Sequence, residues 1–77
     1  MKIQFYAILK DYFSSQLEVD QPLVSVEELN DFLIGKNPSS KEIMDCCRFA
    51  VNDTFVDKNF QLHQHDVISI LPPSSGG

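Results

Sequence analysis

Hydrophobic and polar residues alternate over two stretches of the chain, one near its start and one near its end. A period of two residues is typical of β-strands that have one face against a core. Residues 2–9 predict a first strand, and residues 67–71 predict a last strand in which Ile68 and Ile70 face the core. The predicted core side of the first strand consists of Ile3, Phe5, Ala7 and Leu9.

One helix is well specified between these strands. Ser25 and Glu28 have the spacing of a capping box, in which the Ser25 hydroxyl accepts from the Glu28 amide and the Glu28 carboxylate reaches back to Ser25. Gly35 and a following Asn-Pro dipeptide predict the end of the helix. Residues 39–42 form a second, weaker cap for a brief helical turn. The apolar stripe of the helix consists of Val26, Leu29, Phe32 and Leu33.

Shorter segments complete the set of elements. The first strand is followed by a short helical or looped connection in which Tyr12 and Phe13 can cover the core. The pair Asn52-Asp53 predicts a tight turn, because Asn and Asp tolerate the backbone angles that such turns require. Three short strands are predicted at residues 17–20, 48–51 and 55–56, and a polar turn is predicted at residues 63–66.

The resulting order is strand, strand, helix, strand, short strand, strand. It predicts an α+β domain: a mixed sheet with one main helix packed on one face, and with the first and last strands central and parallel. This is the β-grasp, or ubiquitin-like, arrangement. A ferredoxin-like sandwich is the alternative, but it requires a second long helix. We expect residues 1–71 to form the domain and residues 72–77 to form a flexible tail with a stiff Pro-Pro exit.

The strand alternation also places apolar side chains on the face of the sheet opposite the helix. Contiguous exposed apolar surface usually marks an interface. The alternative is a set of scattered surface residues, which are common. The residues predicted to face outward are Tyr6, Ile8, Ser69 and Leu71, with Phe55 nearby.

Charge and composition exclude some classes of function. The net charge is −5, and the six basic residues are scattered, so nucleic-acid binding is not expected. No apolar run reaches membrane-spanning length and no signal-like segment opens the chain, which predicts a cytoplasmic protein without membrane partners. The adjacent Cys46 and Cys47 cannot easily form a structural disulfide, and with His63 and His65 they lack zinc-site spacing, so we expect no metal.

The sequence as given closes on Gly76-Gly77. A glycine pair leaves the α-carboxylate unobstructed, so the tail can enter a narrow channel in a partner. We expect the Gly77 carboxylate to be the reactive group, because the chain shows no Gly-rich phosphate loop and no nucleophile paired with a base. The alternative is a frayed end without function.

Three segments carry a family resemblance. They are Ile-Gln-Phe-Tyr-Ala at 3–7, Ala-Val-Asn-Asp-Thr-Phe-Val at 50–56, and His-Asp-Val-Ile-Ser-Ile-Leu-Pro-Pro-Ser-Ser-Gly-Gly at 65–77. The chain resembles the small, sulfur-carrying subunit of molybdopterin synthase (the MoaD family), within the wider ThiS/ubiquitin-like superfamily. Thiamine-pathway carriers share the Gly-Gly but usually lack the Pro-Pro spacer. Ubiquitin-type modifiers usually approach Gly-Gly through basic residues, and here Lys58 is the only one after Arg48.

The resemblance implies a function and partners. A MoeB-like adenylating enzyme uses ATP to activate Gly77, a sulfur donor converts it to a thiocarboxylate, and the MoaE-like large subunit receives the tail. The chain then donates sulfur to a cyclic pterin precursor in molybdenum cofactor biosynthesis. It is not catalytic alone, binds no cofactor directly, and works in a heterotetramer. The alternatives are a carrier for thiamine or tRNA thiolation, a protein modifier, or a β-grasp interaction domain that carries no sulfur.

The resemblance also implies the site residues. Gly76 and Gly77 are the attachment site for adenylate and sulfur. Tyr6 and Leu71 stand where the family often has Phe, Lys10 matches a frequent basic contact, and Ser74-Ser75 replaces a more apolar pair. The implied partner-binding residues are Tyr6, Lys10, Phe55, Leu71, Pro72, Pro73, Ser74 and Ser75.

Overall fold

The structure, a computed structural model, describes residues 1–73. It contains five strands and three α-helices, with a 3₁₀ turn at Pro38–Ser40 that leads into the third helix. The strands are β1 (Lys2–Phe5), β2 (Gln16–Glu18), β3 (Arg48–Val51), β4 (Thr54–Val56) and β5 (Val67–Leu71). The helices are α1 (Leu9–Tyr12), α2 (Val26–Lys36) and α3 (Lys41–Cys46).

The strands form one mixed sheet in the order β2-β1-β5-β3-β4. β5 lies at the centre, parallel to β1 and antiparallel to β3, while both hairpin partners at the edges are antiparallel. The predicted α+β arrangement, with the first and last strands parallel and inside the sheet, is confirmed. The crossover from β1 to β5 contains α2, as a parallel pair requires.

The core lies between α2 and one face of the sheet, which we call the inner face. Ile68 and Ile70 of β5 are fully buried there, as the alternation predicts. Leu17 and Phe13 pack against this core from its margin, and the Phe13 ring stacks on Phe5 with centroids 4.8 Å apart. The core cluster comprises Ile3, Phe5, Leu9, Val19, Val26, Leu29, Leu33, Met44, Cys47, Phe49, Val51, Leu62, Ile68 and Ile70.

The first strand is shorter than its alternation predicts. β1 ends at Phe5, and Ala7 adopts a φ of 53°, in the left-handed region that a non-glycine residue rarely occupies. The prediction of Ala7 in the core is therefore wrong, because this turn leaves its side chain exposed. Leu9 is buried as predicted, but it reaches the core from the first turn of α1 rather than from a strand.

The α2 helix begins where the capping residues predict. The Glu28 amide donates to Ser25 Oγ at 3.2 Å, while the Glu28 carboxylate accepts from the Val24 amide, one residue earlier than the capping box predicts. The helix runs through Gly35 to Lys36, so Gly35 does not terminate it.

Asn37 provides the break between α2 and the following 3₁₀ turn. Its Oδ1 accepts from the Ser39 amide at 3.2 Å, and its Nδ2 donates to the Tyr12 carbonyl at 2.8 Å. The predicted cap at residues 39–42 is therefore displaced, since Asn37 caps the turn and the Ser40 side chain makes no capping bond for α3.

The turn that joins β3 to β4 forms at the predicted residues. Asn52 and Asp53 have φ values of 50° and 71°, and together they close a two-residue hairpin loop. Two positive φ values in succession are the signature of a type I′ turn, which suits the twist of paired strands.

Candidate functional site

The end of β5 lies beside an apolar groove on the surface. Leu71 is half-buried at this end, and Pro72 and Pro73 follow it directly. The groove has a volume of about 650 Å³ and is predominantly apolar. Its lining, which we call the docking groove, consists of Tyr6, Ala7, Ile8, Ile43, Leu71, Pro72 and Pro73.

The turn after β1 builds one wall of this groove. β1 has ended at Phe5 and Ala7 is in the left-handed region, so Tyr6 and Ile8 lie outside the core, with 43% and 51% of their surface exposed. The Tyr6 hydroxyl donates to Gln4 Oε1 at 3.3 Å, and Gln4 alternates with the buried Ile3 and Phe5, on the side of the sheet away from α2. We call that side the outer face. The prediction that Tyr6, Ile8 and Leu71 share an outward surface agrees with this geometry, although Ile8 reaches it from a turn.

Phe55 occupies a separate part of the outer face. It lies on the edge strand β4, opposite Ala50, with 53% of its surface exposed. Arg48 separates it from the docking groove: the guanidinium Cζ lies 4.1 Å from the centroid of the Phe55 ring. Arg48 is also opposite Leu71 in the β3–β5 register. The predicted apolar surface is therefore two apolar areas with a cation between them.

Lys10 lies in α1, on the segment that follows the Ala7 turn. Its side chain is exposed, and its amide donates to the Ala7 carbonyl at 3.1 Å. It makes no ion pair within residues 1–73. Its charge is available at the surface near the docking groove, and its predicted role as a partner contact stays a prediction.

The remaining site residues fall at or beyond the end of the described chain. Pro72 is half-buried and Pro73 is exposed. The predicted positions Ser74, Ser75, Gly76 and Gly77 lie outside the described residues. Their roles, and the predicted boundary between a domain of residues 1–71 and a tail of residues 72–77, stay predictions.

The other candidate chemical groups do not converge. His63 and His65 are exposed, and Cys46 is exposed while Cys47 is buried. Burial raises the pKa of the Cys47 thiol to about 11, and its neighbour Cys46 adds to the rise. In the part of the chain that the structure describes, no three His, Cys, Asp or Glu residues are grouped to hold a metal ion. No helix in that part is long and apolar enough to cross a membrane.

Three residues of the site are missing from the sequence-based set, and one of them is Ala7, which the strand alternation wrongly places in the core. Ile43 lines the docking groove from α3. The sequence pattern predicts a short helical turn at Ile43, but it does not show which strand that helix packs beside. Arg48 could have been placed on the outer face from the alternation of β3. Its position opposite Leu71 depends on the register between two strands that are distant in sequence.

A protein-family model, described as the ThiS family, matches residues 3–77. The chain belongs to the ThiS family. This match spans nearly the whole sequence and includes both the described domain and the Gly-Gly residues.

Solved structures show the same fold for this ThiS-family chain. A protein from Pyrococcus furiosus, provisionally named molybdopterin converting factor subunit 1, matches with a TM-score of 0.83 at 22% identity, over 95% of each chain. SAMP1 from Haloferax volcanii matches with a TM-score of 0.81 at 21% identity, over 99% of this chain and 97% of the other. These likenesses establish the β-grasp fold.

A third likeness involves a protein complex. A chain in the complex of subunits 1 and 2 of molybdopterin-converting factor from Helicobacter pylori matches with a TM-score of 0.69 at 27% identity. The match covers 99% of this chain and 96% of the other. The ThiS-family chain therefore has the fold of sulfur carriers of the ThiS and MoaD type, and one protein similar to it is seen in complex with a second subunit.

Proposed function

We propose that this chain is the sulfur-carrying small subunit of molybdopterin synthase, with the Gly77 carboxylate as its working group. The observation that carries the proposal is the path of β5. This strand is paired on both sides, ends in the docking groove at Leu71, and continues through Pro72 and Pro73 towards Gly76-Gly77. A partner bound in the groove therefore receives the tail from a fixed starting point.

The proposed chemistry has two steps at the carboxylate. An oxygen of Gly77 attacks the α-phosphate of ATP on a MoeB-like adenylating enzyme, and pyrophosphate leaves. Sulfide (HS⁻) supplied by a sulfur donor then attacks the acyl carbon, AMP leaves with the electron pair of the broken C–O bond, and loss of the remaining S–H proton gives a thiocarboxylate. Adenylation replaces a poor leaving group with a good one, and the thiocarboxylate is the softer and better nucleophile.

The body of the domain supplies docking rather than catalysis. Apart from the Tyr6 phenol, the docking groove within residues 1–73 is lined by residues without an ionisable side chain. Tyr6, Leu71, Pro72 and Pro73 would contact the MoaE-like large subunit, with Phe55 and Lys10 at the margin. The catalytic side chains, and any bound ATP, belong to the partners, and the whole sequence of reactions takes place in the cytoplasm.

The direct test is the intact mass of the chain after co-expression with its adenylating enzyme and a sulfur donor. We expect one oxygen at Gly77 to be replaced by sulfur. Deletion of Gly77 should abolish this change and leave the thermal unfolding midpoint unaltered. Gly35→Ala is the matched glycine control, because a Cβ at Gly35 meets nothing within 4 Å and should leave sulfur loading intact. Absence of the mass change in the unaltered chain would refute the proposal.

Sulfur carriage for thiamine synthesis or tRNA thiolation is the second candidate, and the ThiS-family match supports it as well. In that case the loaded chain bears the same thiocarboxylate but does not bind the large subunit of molybdopterin synthase. A protein modifier would instead form isopeptide bonds to lysines. An interaction domain would bind its partner without residues 74–77 and never form an adenylate.

A further inference from the structure

Arg48 occupies the junction between the two apolar areas of the outer face. It pairs with Leu71 across β3 and β5, and its guanidinium lies over the Phe55 ring at 4.1 Å. The three side chains therefore form a continuous strip, Leu71–Arg48–Phe55, that runs from the docking groove to the edge strand. A partner that covers both apolar areas must also cover the arginine.

No carboxylate among residues 1–73 lies within ion-pair distance of the Arg48 guanidinium. Among residues 1–73, the ion pairs within 4.0 Å are Lys41–Asp45 and His63–Asp66, and Arg48 belongs to neither. This is notable because the chain has 11 acidic residues and only 6 basic ones. Within the described residues, the Arg48 guanidinium lies against an aromatic ring rather than a carboxylate, so its hydrogen-bond donors are available to a partner.

The stacking arrangement makes these donors suitable for recognition. A ring beneath the guanidinium restrains the arginine side chain, so less rotamer freedom remains to be lost on binding. The donors of a guanidinium lie in its own plane and match the two oxygens of a carboxylate. Arg and aromatic residues are also the side chains that most often dominate binding energy at interfaces.

A second cation lies in the same part of the surface. A groove of about 410 Å³ beside Phe55 is lined by Arg48 and Lys58, with Asp57 as its single carboxylate. Lys58 also acts on α3: the Lys41 hydrogen bond is the main cause that lowers the pKa of Asp45, and the charge of Lys58 adds to this effect. The local surface around Phe55 is therefore positive on a chain whose net charge is −5.

We propose that Arg48 is a specificity-determining docking residue that pairs with an Asp or Glu carboxylate of the molybdopterin synthase large subunit. The inference rests on the proposed function. Covering a guanidinium without a counter-charge is costly, so a partner that buries the Leu71–Arg48–Phe55 strip must present a carboxylate to it. The apolar groove then provides the area of contact, and Arg48 selects a partner with an acidic group in register.

The test compares Arg48→Glu with Lys36→Glu in binding to the purified large subunit from the same organism, measured by calorimetry. Lys36 is the matched control, since it also lies over an aromatic ring, Phe32 at 5.1 Å, but belongs to α2 on the other side of the sheet. We expect Arg48→Glu to raise Kd by about tenfold or more, and Lys36→Glu to change it by less than about twofold. Arg48→Gln, with the same thermal midpoint as the unaltered chain, is the second variant if charge reversal disturbs folding.

Charge reversal in the partner identifies the carboxylate. Acidic residues of the large subunit are first replaced one at a time, and those whose replacement raises Kd are then changed to Lys. One of these Lys variants should restore binding to Arg48→Glu. Unaltered affinity of both Arg48 variants would overturn the inference, and so would weak binding that no reversed partner restores. If the unaltered chain carries the thiocarboxylate but does not bind the large subunit, both this inference and the synthase assignment fail while sulfur carriage stands.

Discussion

Asn52 Nδ2 donates a hydrogen bond to Asp66 Oδ1 over 3.0 Å, so the β3–β4 turn is fastened to the residue that precedes β5. Two further hydrogen bonds join Asn52 to the backbone of Val67. Asn52 Oδ1 accepts from the Val67 amide at 3.1 Å, and the Asn52 amide donates to the Val67 carbonyl at 2.9 Å. The start of the strand that leads to the docking groove is therefore held by a turn residue on the neighbouring hairpin.

Replacing Asn52 with Ala should destabilise the domain. The change removes two side-chain hydrogen bonds. It also places Ala at a φ of 50°, a conformation that Asn tolerates better than Ala. We expect a loss of about 2 kcal/mol in the free energy of unfolding, measured by urea denaturation. Asn59→Ala is the control, because only the Asn59 backbone takes part in a hydrogen bond there. Equal effects of the two changes would contradict the assigned role.

Replacing Leu71 with an acidic or a basic residue should distinguish its effect on partner binding from its effect on stability. Leu71 lies directly across from Arg48, so Leu71→Asp gains an opposite-charge cross-strand pair while Leu71→Lys creates a like-charge pair. We expect Leu71→Asp to be the more stable variant by about 0.5–1 kcal/mol in urea denaturation. Both changes should abolish binding to the large subunit, because each places a charge in the apolar groove. Retained binding by either variant would show that the partner does not cover Leu71.

Ala7→Gly should stabilise the domain by up to about 1 kcal/mol, because glycine adopts a φ of 53° without the steric cost that a Cβ carries. The control is Ala50→Gly, at a buried position in the extended strand β3, where the same change should destabilise. Thermal unfolding of the two variants is the measurement. A loss of stability in Ala7→Gly would mean that the Ala7 methyl group contributes more by contact than its conformation costs.

The two adjacent cysteines should differ sharply in reactivity. Cys46 is exposed, whereas burial raises the pKa of Cys47 to about 11 and its Sγ donates to the Ile43 carbonyl at 3.1 Å. Since the thiolate is the reactive form, iodoacetamide at pH 8 should modify Cys46 and spare Cys47, as read from peptide fragmentation. Cys46→Ser should then remove the rapid phase of labelling. Rapid labelling that persists in this variant would place Cys47 at the surface.

The raised pKa of Cys47 also predicts a pH dependence of stability. Between the ordinary thiol value of 9.0 and about 11, the folded chain holds a proton that the unfolded chain has released. The contribution of Cys47 is therefore complete below pH 9 and is lost as the pH rises through 11. Cys47→Ala should flatten this alkaline decline in the urea midpoint, and an unchanged decline would assign it to other groups.

The sequence predicts β5, α2 and the Asn52-Asp53 turn well because each depends on local chemistry: a regular period of two, a capping pair, and residues that accept positive φ. The β1 prediction overruns for a physical reason. Leu9 is four positions after Phe5, which corresponds to two periods of a strand and also to about one turn of an α-helix. In addition, Ala7 has no side-chain feature that marks a left-handed conformation.

The candidate site on the outer face could be predicted only in part. Outward alternation identifies Leu71 and Phe55, since each lies on a strand. Ile43 and Arg48 depend on how distant segments meet: α3 reaches the end of β5, and β3 pairs with β5 in one register out of several. Such relationships arise from tertiary packing, so no pattern within a single segment contains them.

The parallel pairing of β1 and β5 has a mechanical consequence. Traction on Pro73, away from the domain, acts along β5 while β1 and β3 hold that strand from both sides. The ladder bonds lie across the direction of pull, so they bear the load together instead of opening one by one. A force applied at Pro73 therefore does not peel the strand away from its neighbours one hydrogen bond at a time.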